Sequence, residues 1–77
     1  KYPENGEALY IMAVCQRYLN RLEKALETLR RLKKIRPGYG RAFQEEGHVC
    51  VAAGFTSQAL FAYRHAVSLN NSLRTLI

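Results

Sequence analysis

The side chains best suited to chemistry crowd into Gln44–Cys50, QEEGHVC, which holds two carboxylates, an imidazole and a thiol. Glu45 and His48 stand at i and i+3, the Glu-x-x-His spacing that carboxylate-bridged metal sites place on a helix. Such a site needs a second Glu-x-x-His and further glutamates from facing helices. The other histidine, His65, has Phe61 and Ala62 at i−4 and i−3, so no carboxylate supports it there. Glu45, His48 and Cys50 alone leave a closed zinc site short of ligands. Cys50 and His48 do not pair as nucleophile and base on a helix, because side chains at i and i+2 point apart. Pro37-Gly38-Tyr39-Gly40 lacks the lysine and the spacing of a phosphate loop and reads as a turn opening a helix. The expectation is no metal, no cofactor and no catalytic residue in this stretch, and a packing reason for its letters.

The elements that would position these residues belong to a small chain. Its 77 residues allow one domain with a modest core, and 48% hydrophobic with 23% charged residues is a globular composition. No apolar run approaches the ~20 residues of a membrane span, and no signal-peptide pattern is present. The first residue is Lys1 and not Met, as expected of a piece cut from a longer protein, of processing or of a removed tag. Cys15 and Cys50 are too few and too scattered for a disulfide framework. Both lie in apolar runs, so they are expected as buried free thiols in a reducing, cytoplasmic setting.

The formal net charge is +6, and nine of the twelve Lys and Arg fall between Arg17 and Arg41. Five of them stand in RRLKKIR, Arg30 to Arg36. Leu32 and Ile35 interrupt that run at i,i+3, as a helix with one buried stripe requires. A solvated helix face is the first reading, an acidic protein partner the second, and nucleic acid or membrane the last.

The chain repeats itself. Laying 3–36 over 37–70 matches Pro3 with Pro37, Gly6 with Gly40, Ala8 with Ala42, Ala25 with Ala59, Leu26 with Leu60 and Arg30 with Arg64. Leu9 then falls on Phe43, Ala13 on Gly47, Leu29 on Tyr63 and Ile35 on Leu69, small on small and large apolar on large apolar. Each unit reads as two helices. Ala8, Leu9, Met12, Ala13, Cys15 and Leu19 form a first stripe, and Asn20 tolerates a left-handed turn. Leu22, Ala25, Leu26, Leu29, Leu32 and Ile35 form a second, stopped by Arg36-Pro37-Gly38. In the second unit Gly54 takes the part of Asn20, and Thr56 or Ser57 is expected as the N-cap of the last helix. That helix carries Ala59, Leu60, Tyr63, Ala66, Val67 and Leu69. Short connections make the paired helices antiparallel.

A 34-residue helix-turn-helix period with small residues at fixed points and a closing proline resembles the tetratricopeptide repeat family. The resemblance covers Gly6 to Leu73. The family's eighth position is small, and here it holds Ala13 and Gly47. Its fifteenth, usually Gly, holds Asn20 and Gly54, and its twentieth, Ala, holds Ala25 and Ala59. Its twenty-seventh, Ala, holds Leu32 and Ala66, and its thirty-second, Pro, holds Pro37 and Asn71. The fourth position carries Leu9 and Phe43 where the family often has Trp. The resemblance implies an all-α fold of two tandem units, four antiparallel helices in a right-handed superhelical stack, with a short C-terminal tail. In residue ranges these are the end of a preceding unit at 3–5, repeat 1 at 6–39, repeat 2 at 40–73 and the start of a further helix at 74–77. In this register Gly47 sits where one helix crosses its partner too closely for a side chain. Val49 and Cys50 fall toward the core, and Glu45, Glu46 and His48 take the remaining faces.

The resemblance also implies a function, a protein–protein interaction module that binds a peptide or partner protein through its concave face. The family's groove positions carry over to Glu7, Tyr10, Val14, Arg17 and Tyr18 on the first helix. On the third they carry over to Arg41, Gln44, His48, Val51 and Ala52. Tyrosine and arginine are favoured interface anchors. The lysine and asparagines with which some members clamp a chaperone's carboxylate tail are replaced by Tyr10, Val14 and Glu45. Stacking usually needs three or more units, so the last helix is expected to leave Phe61, Ala62, Tyr63, Ala66 and Leu69 uncovered. Self-association through such an end is the corresponding expectation, most simply as a two-fold dimer. RPGYGRAFQEEGH and ALFAYRHAVSLNNSL are also similar to segments of bacterial sulfotransferases with N-terminal repeats. On that reading the chain is the non-catalytic arm of a larger enzyme, since the phosphate loop for the family's sulfate donor is missing here.

Overall fold

The computed structural model describes the backbone of residues 5–76 and the side chains of 5–69. Four helices follow in order: α1 (Gly6–Tyr18), α2 (Leu22–Ile35), α3 (Gly40–Ala53) and α4 (Thr56–Leu76). No strand occurs among the described residues. The fold is all-α, built as two helical hairpins, α1–α2 and α3–α4. The second packs on the first through α3, which lies against both α2 and α1. Among the described residues, the backbone of α4 approaches only that of α3.

The turn chemistry repeats with the sequence. Asn20 takes φ +60° and Gly54 takes φ +85°, the two positive values in the chain's described residues. After α1, the Asn20 N–H donates to the Arg17 carbonyl at 2.9 Å and the Arg21 N–H to that of Gln16 at 2.8 Å. After α3, the Gly54 N–H donates to Val51 at 3.1 Å and the Phe55 N–H to Cys50 at 2.8 Å. Both ends are Schellman-type closures, in which a left-handed residue lets two N–H groups reach otherwise orphaned carbonyls. At the start of α1 the Asn5 side chain caps Glu7 N–H at 2.8 Å and Ala8 N–H at 3.4 Å. Thr56 is already helical, so the expected cap at Thr56 or Ser57 gives way to Phe55. Its carbonyl accepts the first helical bond, from Ala59, as Arg21 does for Ala25 in α2.

The core runs along the seam between the hairpins. Leu9 and Ala13 of α1, Ala25, Leu29 and Leu32 of α2, and Ala42 and Val49 of α3 form one buried cluster. Tyr10, Leu22, Leu26 and Tyr39 lean on it. Thr28, buried in α2, donates its hydroxyl to Gln16 Oε1 of α1 at 2.7 Å, so this buried polar group of the first hairpin is satisfied. Ile35 is exposed, and the buried stripe of α2 ends at Leu32.

Gly47 answers the packing expectation directly. A Cβ built there would run into the ring of Tyr63, on α4. The first unit places Ala13 against the smaller Leu29 in the corresponding positions, so the two units trade side-chain volume between the crossing helices.

Four expectations need correction. Cys50 is buried but Cys15 is exposed, because none of the other described elements covers that side of α1. Glu45 is buried at 3% exposure, where a remaining outer face was expected. Ala62 and Ala66 are packed against α3, and the large apolar residues left open on this hairpin are Val51, Phe55, Leu60, Phe61 and Val67. Finally, α4 continues unbroken to Leu76, where repeat 2 was expected to end at 73 and a further helix to start at 74. Asn71 keeps the N–H that Pro37 lacks and imposes no stop. The expected unit end at 3–5 lies mostly outside the described residues.

Candidate functional site

The residues singled out for a groove come from α1 and α3, which the fold sets side by side. Glu7, Tyr18, Arg41, Gln44, Val51 and Ala52 are exposed, and Tyr10, Val14, Arg17 and His48 are half-buried. Tyr10 meets Tyr39 edge to face, with ring centroids 6.2 Å apart. The Arg41 guanidinium lies 6.0 Å from the Tyr10 ring centroid, so a residue of the second unit covers an aromatic of the first. Arg17 reaches in two directions. Its guanidinium stands 4.7 Å from the ring centroid of Tyr18, which is 76% exposed, and its Nε donates to the buried Glu45 carboxylate on α3. Arg17 Nη2 reaches the second carboxylate oxygen at 3.4 Å. The hydrogen bond to Glu45 holds the Arg17 pKa above its ordinary value, against the opposing effect of burial.

The Glu-x-x-His pair of α3 is therefore divided. Glu45 is drawn to α1 by Arg17, and His48 is drawn to α4, where its Nδ1 shares a 2.7 Å hydrogen bond with the Tyr63 hydroxyl. The two rings meet at 64° with centroids 5.5 Å apart. Both groups brace α3 between its neighbours. Among the described residues no group of three or more His, Cys, Asp or Glu comes together as a metal site. Burial pushes the Cys50 thiol up, and the charge of Glu46 adds to the shift.

A second concavity, of about 360 Å³, opens on the far side of α3 and was not anticipated from the sequence. Phe43, Phe61, Ala62, His65, Lys33 and Glu46 line it. His65 stacks on Phe43 at 4.2 Å between centroids and 20° between planes, and Lys33 lies 5.0 Å from the Phe43 centroid. Lys33 Nζ also bonds Glu46 at 2.8 Å, so part of the basic run is engaged within the fold. No local pattern announces this cleft, since its walls come from three helices and depend on how far apart α2 and α4 stand.

No helix of the described residues is long and apolar enough to cross a membrane. No family model matches the chain, and no solved structure matches it. The tetratricopeptide resemblance therefore rests on the residues quoted for it. Over 65 residues, 84% of this chain, the sequence is 40% identical to coatomer subunit delta-1 of Oryza sativa subsp. japonica. The chain spans 12% of the length of that relative.

Proposed function

We propose that this chain is a pair of tetratricopeptide-type units that does no chemistry itself and binds a peptide or partner protein along the face shared by α1 and α3. The observation that carries the reading is the Tyr10–Arg41 contact across the two units, beside exposed Tyr18, Gln44 and Val51. Aromatic and guanidinium groups held on rigid helices lose little entropy on binding, which is why they serve as anchors. The likeness to a coatomer subunit is in keeping with a role in assembly, since a subunit acts through what it is bound to. Free Cys15 and Cys50 suit a reducing, cytoplasmic setting. Exposed Ile11, Leu60 and Val67 favour self-association as a further property of the module.

The test is selection of displayed peptides against the chain, followed by substitution. Tyr10→Ala and Arg41→Ala should each weaken a selected peptide about tenfold, or ~1.4 kcal/mol. Arg30→Ala, on the exposed side of α2, should leave binding unchanged. Equal losses from all three would move the site to a diffuse basic surface.

A further inference from the structure

The two ends of this molecule are complementary to each other by its own internal step. Helix α3 stands to α1, and the start of α4 to that of α2, in a register of 34 residues, with left-handed Asn20 and Gly54 in matching places. Two ion pairs join the first hairpin to the second, Arg17–Glu45 and Lys33–Glu46. Moving the first partner of each forward by one period gives Val51 and Val67. Moving the second partner of each back by one period gives Ile11 and Met12. The charged pairs of the internal joint thus become the apolar pairs Val51 with Ile11, and Val67 with Met12, at the outer ends. Ile11 is 59% exposed, Val51 58% and Val67 56%. The same rule turns half-buried Leu26 into 56%-exposed Leu60, and buried Val49 into exposed Cys15. Among the open apolar residues, Ile11 at one end and Val51, Leu60 and Val67 at the other are the ones this rule carries onto the internal joint.

We propose that two copies of this chain associate head to tail, the α1 face of one seated on the α3–α4 face of the next, by the step that sets the second hairpin on the first. The occupant is a second copy because the match is with the chain's own opposite end. A two-fold dimer would bring like faces together, Ile11 toward Ile11, and would use neither correspondence. Each copy carries a formal charge of +6, so the contact forms against like-charge repulsion and strengthens as salt screens it. An acidic partner bound through the basic run would behave the opposite way.

The proposal rests on the self-association reading, and the experiment separates the two. Sedimentation equilibrium of the wild type should show mass rising beyond two copies with concentration, more so at 0.5 M than at 0.05 M NaCl. Ile11→Glu and Val67→Glu should each be monomeric, with wild-type circular dichroism melts because both positions are exposed. A 1:1 mixture should give one defined pair and nothing larger, since one open face of each variant survives and the survivors are opposite. Val51→Arg in the copy presented to Ile11→Glu should restore the contact, rebuilding the Arg17–Glu45 pair between molecules. Ile11→Ser and Val67→Ser replace the glutamates should either melt be lowered. A monomeric wild type would sink self-association and this proposal together. Either variant still dimerising alone, or a mixture that stays monomeric, would leave self-association standing and overturn the head-to-tail geometry.

Discussion

At the residue scale, the joint between the hairpins turns on two small decisions, a missing Cβ and a buried carboxylate. Gly47→Ala gains helix propensity worth about 1 kcal/mol but drives a methyl into the Tyr63 ring. Overpacking costs about 1–3 kcal/mol, so the variant should be destabilised in urea unfolding. Gly47→Ala with Tyr63→Leu recreates the Ala13–Leu29 pair of the first unit and should recover most of the loss. Recovery no better than Tyr63→Leu alone would mean that the ring has no steric quarrel with position 47. For the carboxylate, Arg17→Ala leaves Glu45 buried without its partner and should cost about 1–3 kcal/mol, moderated because Arg17 keeps a wet side. Arg17→Val with Glu45→Ile installs the residues found one period away, Val51 and Ile11, and should be far milder than the single change. A double-mutant cycle measures the difference, and additive losses would contradict the coupling.

The role of Gly47 was legible because a small residue at a fixed offset in both units signals a close crossing. That of Glu45 was not, because its partner stands 28 residues away and is chosen by how α1 crosses α3. His48 was misleading for the same reason: its spacing from Glu45 is local, while the Tyr63 hydroxyl that engages it is not.

At the scale of the elements, the closures of α1 and α3 differ only in how they tolerate a positive φ. Asparagine reaches φ +60° with strain that glycine does not have, so Asn20→Gly should stabilise the chain by up to about 1 kcal/mol. Gly54→Ala should cost about 1–2 kcal/mol, read from the same thermal melts. Unchanged stability in both would mean that the turns are not the stops they resemble. The boundaries of α1, α2 and α3 could be read from these turns and from Pro37, whose consequences are local. The end of α4 could not, because Asn71 stands where the repeat has proline and does not force a break. Exposure was the other illegible quantity. Cys15 sits in an apolar run like Cys50, and only the presence or absence of a covering helix distinguishes them. At pH 8 a thiol reagent should label Cys15 rapidly and Cys50 only on unfolding; equal rates would mean that α3 opens readily. The folded state holds the Cys50 proton more tightly than the unfolded chain. The contribution of Cys50 to stability is therefore constant below the ordinary thiol value of 9.0 and is lost as pH rises above it.

At the scale of the whole molecule, one hairpin laid on another produces a face, a cleft and two unlike ends. The α1–α3 face carries Arg41 and Gln44 in the open beside half-buried Tyr10. The cleft beside Phe43 offers an apolar floor with Lys33 and His65 at its walls, and competes with that face as a place for a partner to land. The basic run of α2 is spent partly inside the fold, on Glu46 and on the Tyr39 ring, which Arg36 approaches to 5.6 Å. Arg30, Arg31 and Lys34 remain exposed there, on the side of α2 away from buried Leu32. The decisive measurement is photo-crosslinking in the native, full-length protein, with a benzophenone amino acid placed in turn at Tyr10, Gln44, Arg30 and Ser68. The account predicts a partner protein crosslinked from Tyr10 and Gln44 and none from Arg30 or Ser68. Crosslinks confined to Arg30 and Ser68 would put recognition on the α2–α4 side and contradict it.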